Sequence, residues 1–148
     1  MKVIRLGTSA DLEGATNVYR RAALSNAGDQ LRLLANPDLL ILRPEGLAEE
    51  RTYVVEEDGA IVGFASWAEA NGTVELEDLF VDPDHMRHGI ATALVRRIAD
   101  ALRARGVEHL EVTANPHALP FYRAVGFIAR GTAETQFGSA PRMALPIS

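Results

Sequence analysis

The stretch from Leu79 to Arg105 constrains the fold most, because it joins a strand to a long helix through a short turn. The strand must end at Asp82-Pro83, since proline cannot donate a hydrogen bond to a sheet. From Ile90 onward the apolar residues recur at helical spacing, which predicts an amphipathic helix that ends before Gly106. The face predicted to be buried consists of Ala91, Leu94, Val95, Ile98 and Leu102. The face predicted to be exposed carries Arg96, Arg97, Asp100 and Arg103.

The turn before this helix contains the small residues Gly89 and Ala91. A helix start presents unpaired N–H groups and the positive end of the helix dipole, so it can hold a phosphate group. Arg87 could add positive charge there, and Thr92 could offer a hydroxyl. The turn has neither the Gly-Lys-Ser/Thr of a Walker loop nor the Gly-x-Gly-x-x-Gly of a dinucleotide site. Taken alone, it is equally consistent with tight packing of a helix on a sheet.

Three antiparallel strands are predicted ahead of the helix. Thr52–Glu56 and Ala60–Trp67 are strand-like, and the Asp58-Gly59 pair between them is a strong hairpin signal. A second turn then leads into a strand from Thr73 to Val81. The subsequent order of strand, helix and strand predicts a right-handed parallel crossover.

The two ends of the chain are predicted to add further strands. Met1–Leu6 is predicted as a short strand with Val3 facing inward, and residues 128–148 are predicted to supply two closing strands. The last of these is expected at Arg142–Ile147. The segment Leu31–Leu42 is apolar and interrupted by proline, so it fits either a short helix or a loop that covers the core.

In the strand from Thr73 to Val81, apolar and charged residues do not separate cleanly onto the two faces. Asp78 shares a face with apolar residues, whereas Glu75 and Glu77 share the other face with Leu79. One extra residue near positions 77–79, a β-bulge, would relieve the conflict. The alternative is a half-buried strand whose exposed end lies at the two glutamates.

Length and composition indicate one globular domain over residues 1–148. No apolar run approaches the ~20 residues of a membrane span, and the start of the chain has no signal-peptide pattern, so a cytoplasmic location is expected. The formal net charge of −5 argues against nucleic acid and membrane surfaces as partners. It suits a cationic amine substrate, although ordinary solubility explains it as well.

Metal and cysteine chemistry are not expected. The chain has no cysteine, which excludes disulfides, thiolate zinc sites and a cysteine nucleophile. Its four histidines lie in three separate segments and form no His-x-x-x-His pair with an acidic partner. They are His85, His88, His109 and His117.

A second motif runs from Asn115 to Phe127 as NPHALPFYRAVGF. It resembles Asn-x-x-Ala-x-x-Phe-Tyr-x-x-x-Gly-Phe, a motif of the GNAT superfamily of acyl-CoA-dependent N-acetyltransferases. The earlier stretch resembles the diphosphate-binding motif of the same family, in which Gln/Arg-x-x-Gly-x-Gly/Ala follows a strand that ends in valine. Val81 and Gly89-Ile90-Ala91 match that pattern, whereas Met86 departs from its first position. Arg87, one residue away, could partly compensate.

The resemblance implies a fold and a reaction. The fold is α/β (α+β): a mixed, mostly antiparallel central sheet of about six to seven strands, splayed at the cofactor site, with helices on both faces. The reaction is N-acetylation of a small-molecule or peptide amine by direct transfer from acetyl-CoA, without an acyl-enzyme. A homodimer would also agree with the resemblance, since family members are often dimers.

The resemblance also assigns roles to residues of this chain. Glu75, or its neighbour Glu77, would accept the amine proton, because a free alkyl amine has a pKa of ~10. Tyr122 would protonate the departing thiolate. A backbone N–H near Leu79 or Phe80 would face the thioester carbonyl, and the same strand edge would bond the pantetheine. The residues expected to bind the cofactor are Leu79, Phe80, Val81, Met86, Arg87, His88, Gly89, Ile90, Ala91, Thr92, Asn115, Ala118 and Tyr122.

Two other functions agree with parts of the sequence. An acyl-CoA-binding sensor or partner module without transfer activity is favoured by Met86 and opposed by Tyr122 and the paired glutamates. A Rossmann-type nucleotide-binding domain is opposed by the hairpin-rich first half of the chain. The sequence does not identify the acceptor amine.

Overall fold

A computed structural model describes residues 2–25, 34–35, 41–135 and 138–147 of the chain. The predicted helix or loop at Leu31–Leu42 therefore lies largely outside the described residues. The strands are β1 (Lys2–Leu6), β2 (Thr52–Glu57), β3 (Ala60–Ala70), β4 (Thr73–Val81), β5 (His109–Thr113), β6 (Ile128–Thr135) and β7 (Gly138–Pro146). The helices are α1 (Leu12–Leu24), α2 (Glu45–Ala48), α3 (Ile90–Ala104) and α4 (Leu119–Val125).

In the part of the chain that is described, the strands form one seven-stranded sheet with the order β1-β2-β3-β4-β5-β7-β6. β1 with β2, β2 with β3, β5 with β7 and β6 with β7 are antiparallel. β4 and β5 are parallel, with Glu75 opposite Glu111. This mixed α/β architecture confirms the predicted fold class.

Two hairpin turns form because their residues accept left-handed backbone conformations. Asp58 and Gly59 join β2 to β3 with φ of 52° and 85°, and Asn71 and Gly72 join β3 to β4 with φ of 55° and 77°. Two-residue turns with positive φ at both positions match the twist of paired strands. The predicted hairpin and the second turn are therefore confirmed.

The described residues form two compact units, Met1–Ser66 with Asp78–Arg97 and Trp67–Glu77 with Ile98–Ser148. The first unit has a core cluster of Ala15, Val18, Leu42, Leu47, Val54 and Phe64. Val3, predicted to face inward, is 41% exposed, so that expectation was wrong. The reason is its position in β1, which among the described strands has β2 as its one neighbour and ends the sheet. The assignment of residues 1–148 to a single domain stays a prediction.

The second unit buries Leu110 of β5, Tyr122 of α4 and Met143 of β7, together with Phe127 in the turn between α4 and β6. β7 begins at Gly138, four residues earlier than expected. Pro141 therefore lies within the strand rather than before it. Its carbonyl oxygen still accepts a hydrogen bond from the N–H of Ala114 at 2.8 Å, although proline has no N–H to donate.

The long helix α3 follows the predicted pattern. Its residues Leu94, Val95, Ile98 and Leu102 are buried, and Arg96, Arg97, Asp100 and Arg103 are exposed. Gly106 has φ of 82° and caps the helix end, where the N–H of Val107 donates to the carbonyl of Leu102 at 3.0 Å. No helix among the described residues has the length and apolar character that a membrane crossing requires.

Candidate active site

The turn that leads into α3 is fixed at its first residue. Asp82 is buried, and its N–H donates to the carbonyl of Val62 at 2.8 Å. Its side-chain oxygen Oδ1 accepts from the N–H of Asp84 at 2.9 Å, which caps a short 3-10 turn over Pro83–His85. Proline at the first position of that turn has no N–H to satisfy. The end of β4 is thereby tied to β3 and to the turn.

The next four residues, Met86 to Gly89, are exposed. Arg87 and Gly89 have φ of 66° and 77°, so the chain makes two left-handed steps before the helix. A Cβ added at Gly89 would meet no atom within 4 Å. Space is therefore open beside the helix start.

The first hydrogen bond of α3 runs from the N–H of Ala93 to the carbonyl of Gly89 at 3.0 Å. The N–H groups of Ile90, Ala91 and Thr92 precede it and have no carbonyl one turn back within the helix. A diphosphate needs such donors at the positive end of a helix dipole. The residues of this turn therefore fit the group that the motif predicts.

The side chains around this turn have different tasks. Ile90 is buried, and a Cβ on Gly63 would come within 2.9 Å of its Cγ2 atom, so the glycine in β3 allows the helix to begin close to the strand. Ile90 can therefore serve a ligand only through its backbone. Met86 is 55% exposed, and Ala91 and Thr92 are half-buried.

The end of β4 carries the three residues predicted to flank the thioester. Leu79 and Phe80 are half-buried, and Val81 is buried. The ring of Phe80 packs edge-on against Tyr19, with centroids 4.9 Å apart. Its side chain belongs to the core, which leaves its backbone for binding. The alternation of buried and more exposed residues along β4 is interrupted between Leu76 and Val81. The β-bulge expected there stays a prediction.

The glutamates of β4 lie in different surroundings. Glu75 is half-buried and forms an ion pair with Arg142 on β7. Arg142 also contacts Glu111 at 3.1 Å and donates to the Thr113 hydroxyl at 2.7 Å. The hydrogen bond to Glu75 is the main cause that raises the pKa of Arg142 above its usual value. Glu77 is exposed.

Arg142 was not among the predicted site residues. It meets Glu75 because β4, β5 and β7 are neighbours in the sheet, and it pairs across from Thr113 on β5. The two partners lie 67 positions apart in the sequence. A single chain gives no signal for such a contact before the order of the strands is known.

The second motif begins with a side-chain cap. Asn115 is exposed, and its Oδ1 accepts from the N–H of His117 at 2.9 Å, which starts the 3-10 turn Pro116–Ala118. The amide nitrogen of the same side chain is a donor that can reach a ligand carbonyl. Ala118 is half-buried at the end of this turn.

Tyr122 is the most buried of the predicted site residues in this motif, with 7% of its surface exposed. Its ring packs edge-on against Phe121 and Phe127, at centroid distances of 5.2 and 5.1 Å. Burial raises the pKa of its hydroxyl to about 12. The pKa rises because burial disfavours the charged phenolate and favours the neutral phenol. Tyr122 therefore keeps its proton at neutral pH.

The motif ends in a turn that holds the backbone of Tyr122 by a hydrogen bond. Gly126 has φ of 118°, and the N–H of Phe127 donates to the carbonyl of Tyr122 at 2.9 Å. The glycine of the motif is required by this left-handed cap. Among the described residues, no group of three or more histidine, aspartate or glutamate side chains is arranged to hold a metal ion.

Comparison with known proteins gives the family. Residues 26–127 match the model described as Acetyltransferase (GNAT) family. Streptothricin acetyltransferase of Streptomyces lavendulae is 43% identical over 86 residues, which cover 54% of this chain and 46% of that protein. The match therefore spans about half the length of that relative.

Two further relatives cover more of the chain. The ribosomal protein bS18-alanine N-acetyltransferase of Escherichia coli (strain K12) is 35% identical over 105 residues, covering 65% of this chain and 71% of that protein. The crystal structure of the ribosomal-protein-S18-alanine N-acetyltransferase from Escherichia coli superimposes with a TM-score of 0.74 at 26% identity, over 100% of this chain and 95% of that one. The family model and these acetyltransferases agree with the two motifs, and the chain belongs to the GNAT acetyltransferase family.

Proposed function

We propose that this chain moves the acetyl group of acetyl-CoA directly to an amine of a small molecule or peptide. The observation that carries the proposal is the exposed start of α3, where Gly89 opens space beside the first N–H groups of the helix. Membership of an acetyltransferase family makes the diphosphate of coenzyme A the anion that suits these donors. The donor supplies the acetyl group, and the chain supplies binding, orientation and proton transfer.

Donor binding is assigned to both motifs. In the first unit, the backbone N–H groups from Arg87 to Thr92 would hold the diphosphate, with the Arg87 and Thr92 side chains beside them. The exposed Met86 and His88 would border it. The edge of β4 at Leu79, Phe80 and Val81 would bond the pantetheine and the thioester carbonyl. In the second unit, Asn115 and Ala118 would contact the donor.

Tyr122 is assigned the role of general acid. The thiolate leaving group needs a protonated donor beside it, because the free thiol product has a pKa near 8.5 and is largely protonated at neutral pH. Tyr122, whose pKa burial raises to about 12, stays protonated until it gives that proton up. Direct transfer requires no nucleophilic side chain, which agrees with a chain that has no cysteine.

The base is assigned to the glutamates of β4. Glu75 is half-buried, and one of its oxygens accepts a hydrogen bond from Arg142, which leaves fewer of its acceptor sites for the proton of the amine. Glu77 is exposed to solvent, from which the acceptor arrives. We therefore assign the proton transfer first to Glu77, directly or through a water, and second to Glu75.

The names of the relatives suggest two classes of acceptor. One relative acetylates streptothricin and the other an alanine of a ribosomal protein. We propose that the acceptor here is likewise an amine, either of an antibiotic-like small molecule or of a peptide. Because the match covers 46% of the first relative, its substrate is a starting point for screening.

The test combines binding with turnover. Calorimetry with coenzyme A should show one site per chain, and thiol release from acetyl-CoA should depend on an added amine, which is screened among streptothricin, polyamines and alanine-initiated peptides. Absence of binding would overturn the proposal. Binding with no turnover across the panel would favour the sensor module instead.

A further inference from the structure

An arginine from α1 binds both aspartates of the turn from Asp82 to Gly89, which leads from β4 into α3. Arg21 lies in the last turn of α1, and its Nη1 donates to Oδ2 of Asp82 at 2.7 Å. Its Nη2 donates to Oδ2 of Asp84 at 2.8 Å. These partners are 61 and 63 positions away in the sequence. A planar guanidinium can hold two carboxylates in this way, whereas an ammonium group lacks the fork.

The two aspartates differ in exposure. Asp82 has 9% of its side chain exposed, and Asp84 has 76%. Asp82 is held in place by its own backbone and side-chain hydrogen bonds to Val62 and Asp84. The turn therefore has a fixed path without Arg21. The arginine adds positive charge at a point where two negative charges are anchored.

That charge matters because the turn itself is acidic. From Asp82 to Gly89 the chain has two aspartates and one arginine, a formal charge of −1 when its histidines are neutral. An anion bound at Gly89 would meet carboxylates only five and seven residues away along the chain. With Arg21 included, the formal charge of the counted residues is zero; Glu57 of β2, which lies 3.4 Å from Nε2 of His85, is outside this sum and is unchanged in every variant below. Fixed charges act over about 10 Å at 0.1 M salt and over longer distances at lower salt, so the effect of these carboxylates on a bound anion should be largest at low salt.

We propose that Arg21 is a positioning residue for the donor, which neutralises Asp82 and Asp84 so that the diphosphate of coenzyme A can bind at the start of α3. The inference rests on the proposed function. It adds a residue of α1, outside both motifs, to the determinants of donor affinity. Arg21 itself does not contact the reacting atoms.

The alternative is an ion pair that serves stability alone. The two roles differ in which constant changes. A stabilising pair lowers the midpoint of unfolding when it is removed, and leaves KM for acetyl-CoA unchanged in the folded fraction. Loss of a neutralising arginine raises that KM, leaves kcat at saturating donor unchanged, and makes the increase depend on salt.

The experiment compares five variants of the full chain by KM for acetyl-CoA and by titration with coenzyme A. R21Q should raise both constants about three- to tenfold at low salt, by analogy with other charges near helix ends. The difference should shrink as salt is raised from about 20 mM to about 500 mM. R21K keeps the charge and should stay within about threefold of wild type.

The double variant R21Q/D84N tests the mechanism. Removal of the exposed carboxylate along with the arginine should recover much of the lost affinity, because the local charge returns to zero. R103Q is the matched control. Arg103 also has 52% of its side chain exposed and also binds an aspartate, Asp100, at 2.7 Å, but it lies near the other end of α3. Its variant should keep the KM of wild type.

The outcomes separate this inference from the proposed function. If wild type binds no coenzyme A, both fall. If wild type binds and R21Q binds equally well, or if R21Q/D84N is no better than R21Q, only the role of Arg21 falls. If circular dichroism shows that R21Q folds poorly, R21K and D84N test the role of Arg21 instead. D84N removes a negative charge and should lower KM for acetyl-CoA at low salt, and a rise in that KM would overturn the inference.

Discussion

The two motifs of this chain offer different parts of the polypeptide to the proposed reaction. The turn before α3 presents backbone N–H groups, and its side chains at Met86, Arg87 and His88 are exposed. The segment from Asn115 to Phe127 instead uses side chains, with Asn115 as a cap and Tyr122 held between two aromatic rings. A backbone site depends on glycine geometry and tolerates changes of side chain. A site built from side chains can lose its function when a substitution removes a single functional atom.

The largest effect is therefore expected in the second motif. Removal of the Tyr122 hydroxyl in Y122F should lower kcat about a hundredfold or more, the usual range for a general acid, with KM for acetyl-CoA little changed. Stopped-flow or steady-state thiol release measures it. Y53F is the matched control, because the ring of Tyr53 lies under Arg97 at 5.2 Å and a phenylalanine keeps that contact.

The pH profile gives an independent check on Tyr122. Its pKa is raised to about 12, so the acid form is fully present below that value and is lost only as the pH rises through it. We expect no loss of kcat from Tyr122 between about pH 6 and about pH 10. A basic limb with a midpoint near 8 to 9 that disappears in Y122F would contradict the assignment.

Next in size is the loss of a glutamate from β4. E77Q should lower kcat/KM about ten- to a hundredfold at neutral pH, because the amine must then lose its proton to water. The deficit should narrow near pH 9.5, where more of an amine with a pKa of ~10 is already neutral. E75Q is the comparison, since it replaces one of the carboxylates that pair with Arg142 by a neutral amide. If E75Q shows the larger and pH-dependent loss, the base is Glu75.

The backbone site should respond to geometry rather than to chemistry. Gly89 has φ of 77°, a conformation that costs an alanine roughly 1 kcal/mol. G89A should raise KM for acetyl-CoA about five- to tenfold by moving the donors at the helix start. Gly106 is the control at the other end of α3, with φ of 82° and open space around it. G106A should lose similar stability in urea and keep KM; equal KM values for the two variants would contradict the backbone model.

The same contrast explains how much could be predicted from the sequence. Hairpin turns, the faces of α3 and both motifs depend on residues close together in the chain, and they were predicted with nearly correct bounds. The contacts of Arg142 with Glu75 and of Arg21 with Asp82 join positions more than 60 residues apart. They depend on strand order and helix placement, which no local pattern encodes. Val3 was misplaced for a related reason, because alternation does not reveal which strand ends a sheet.

The smallest effect is expected where the first motif departs from its family pattern. Met86 is 55% exposed, and neighbouring N–H groups are available to hold the diphosphate, so its side chain contributes little. M86Q should lower KM for acetyl-CoA only about two- to threefold, by adding one solvent-exposed hydrogen bond to the diphosphate, worth about 0.5 kcal/mol or slightly more because of that exposure. Titration with coenzyme A measures the change, with M86L as the control that adds no polar atom. A tenfold gain in M86Q would mean that side chains govern this motif as well, and the contrast with Tyr122 would fail.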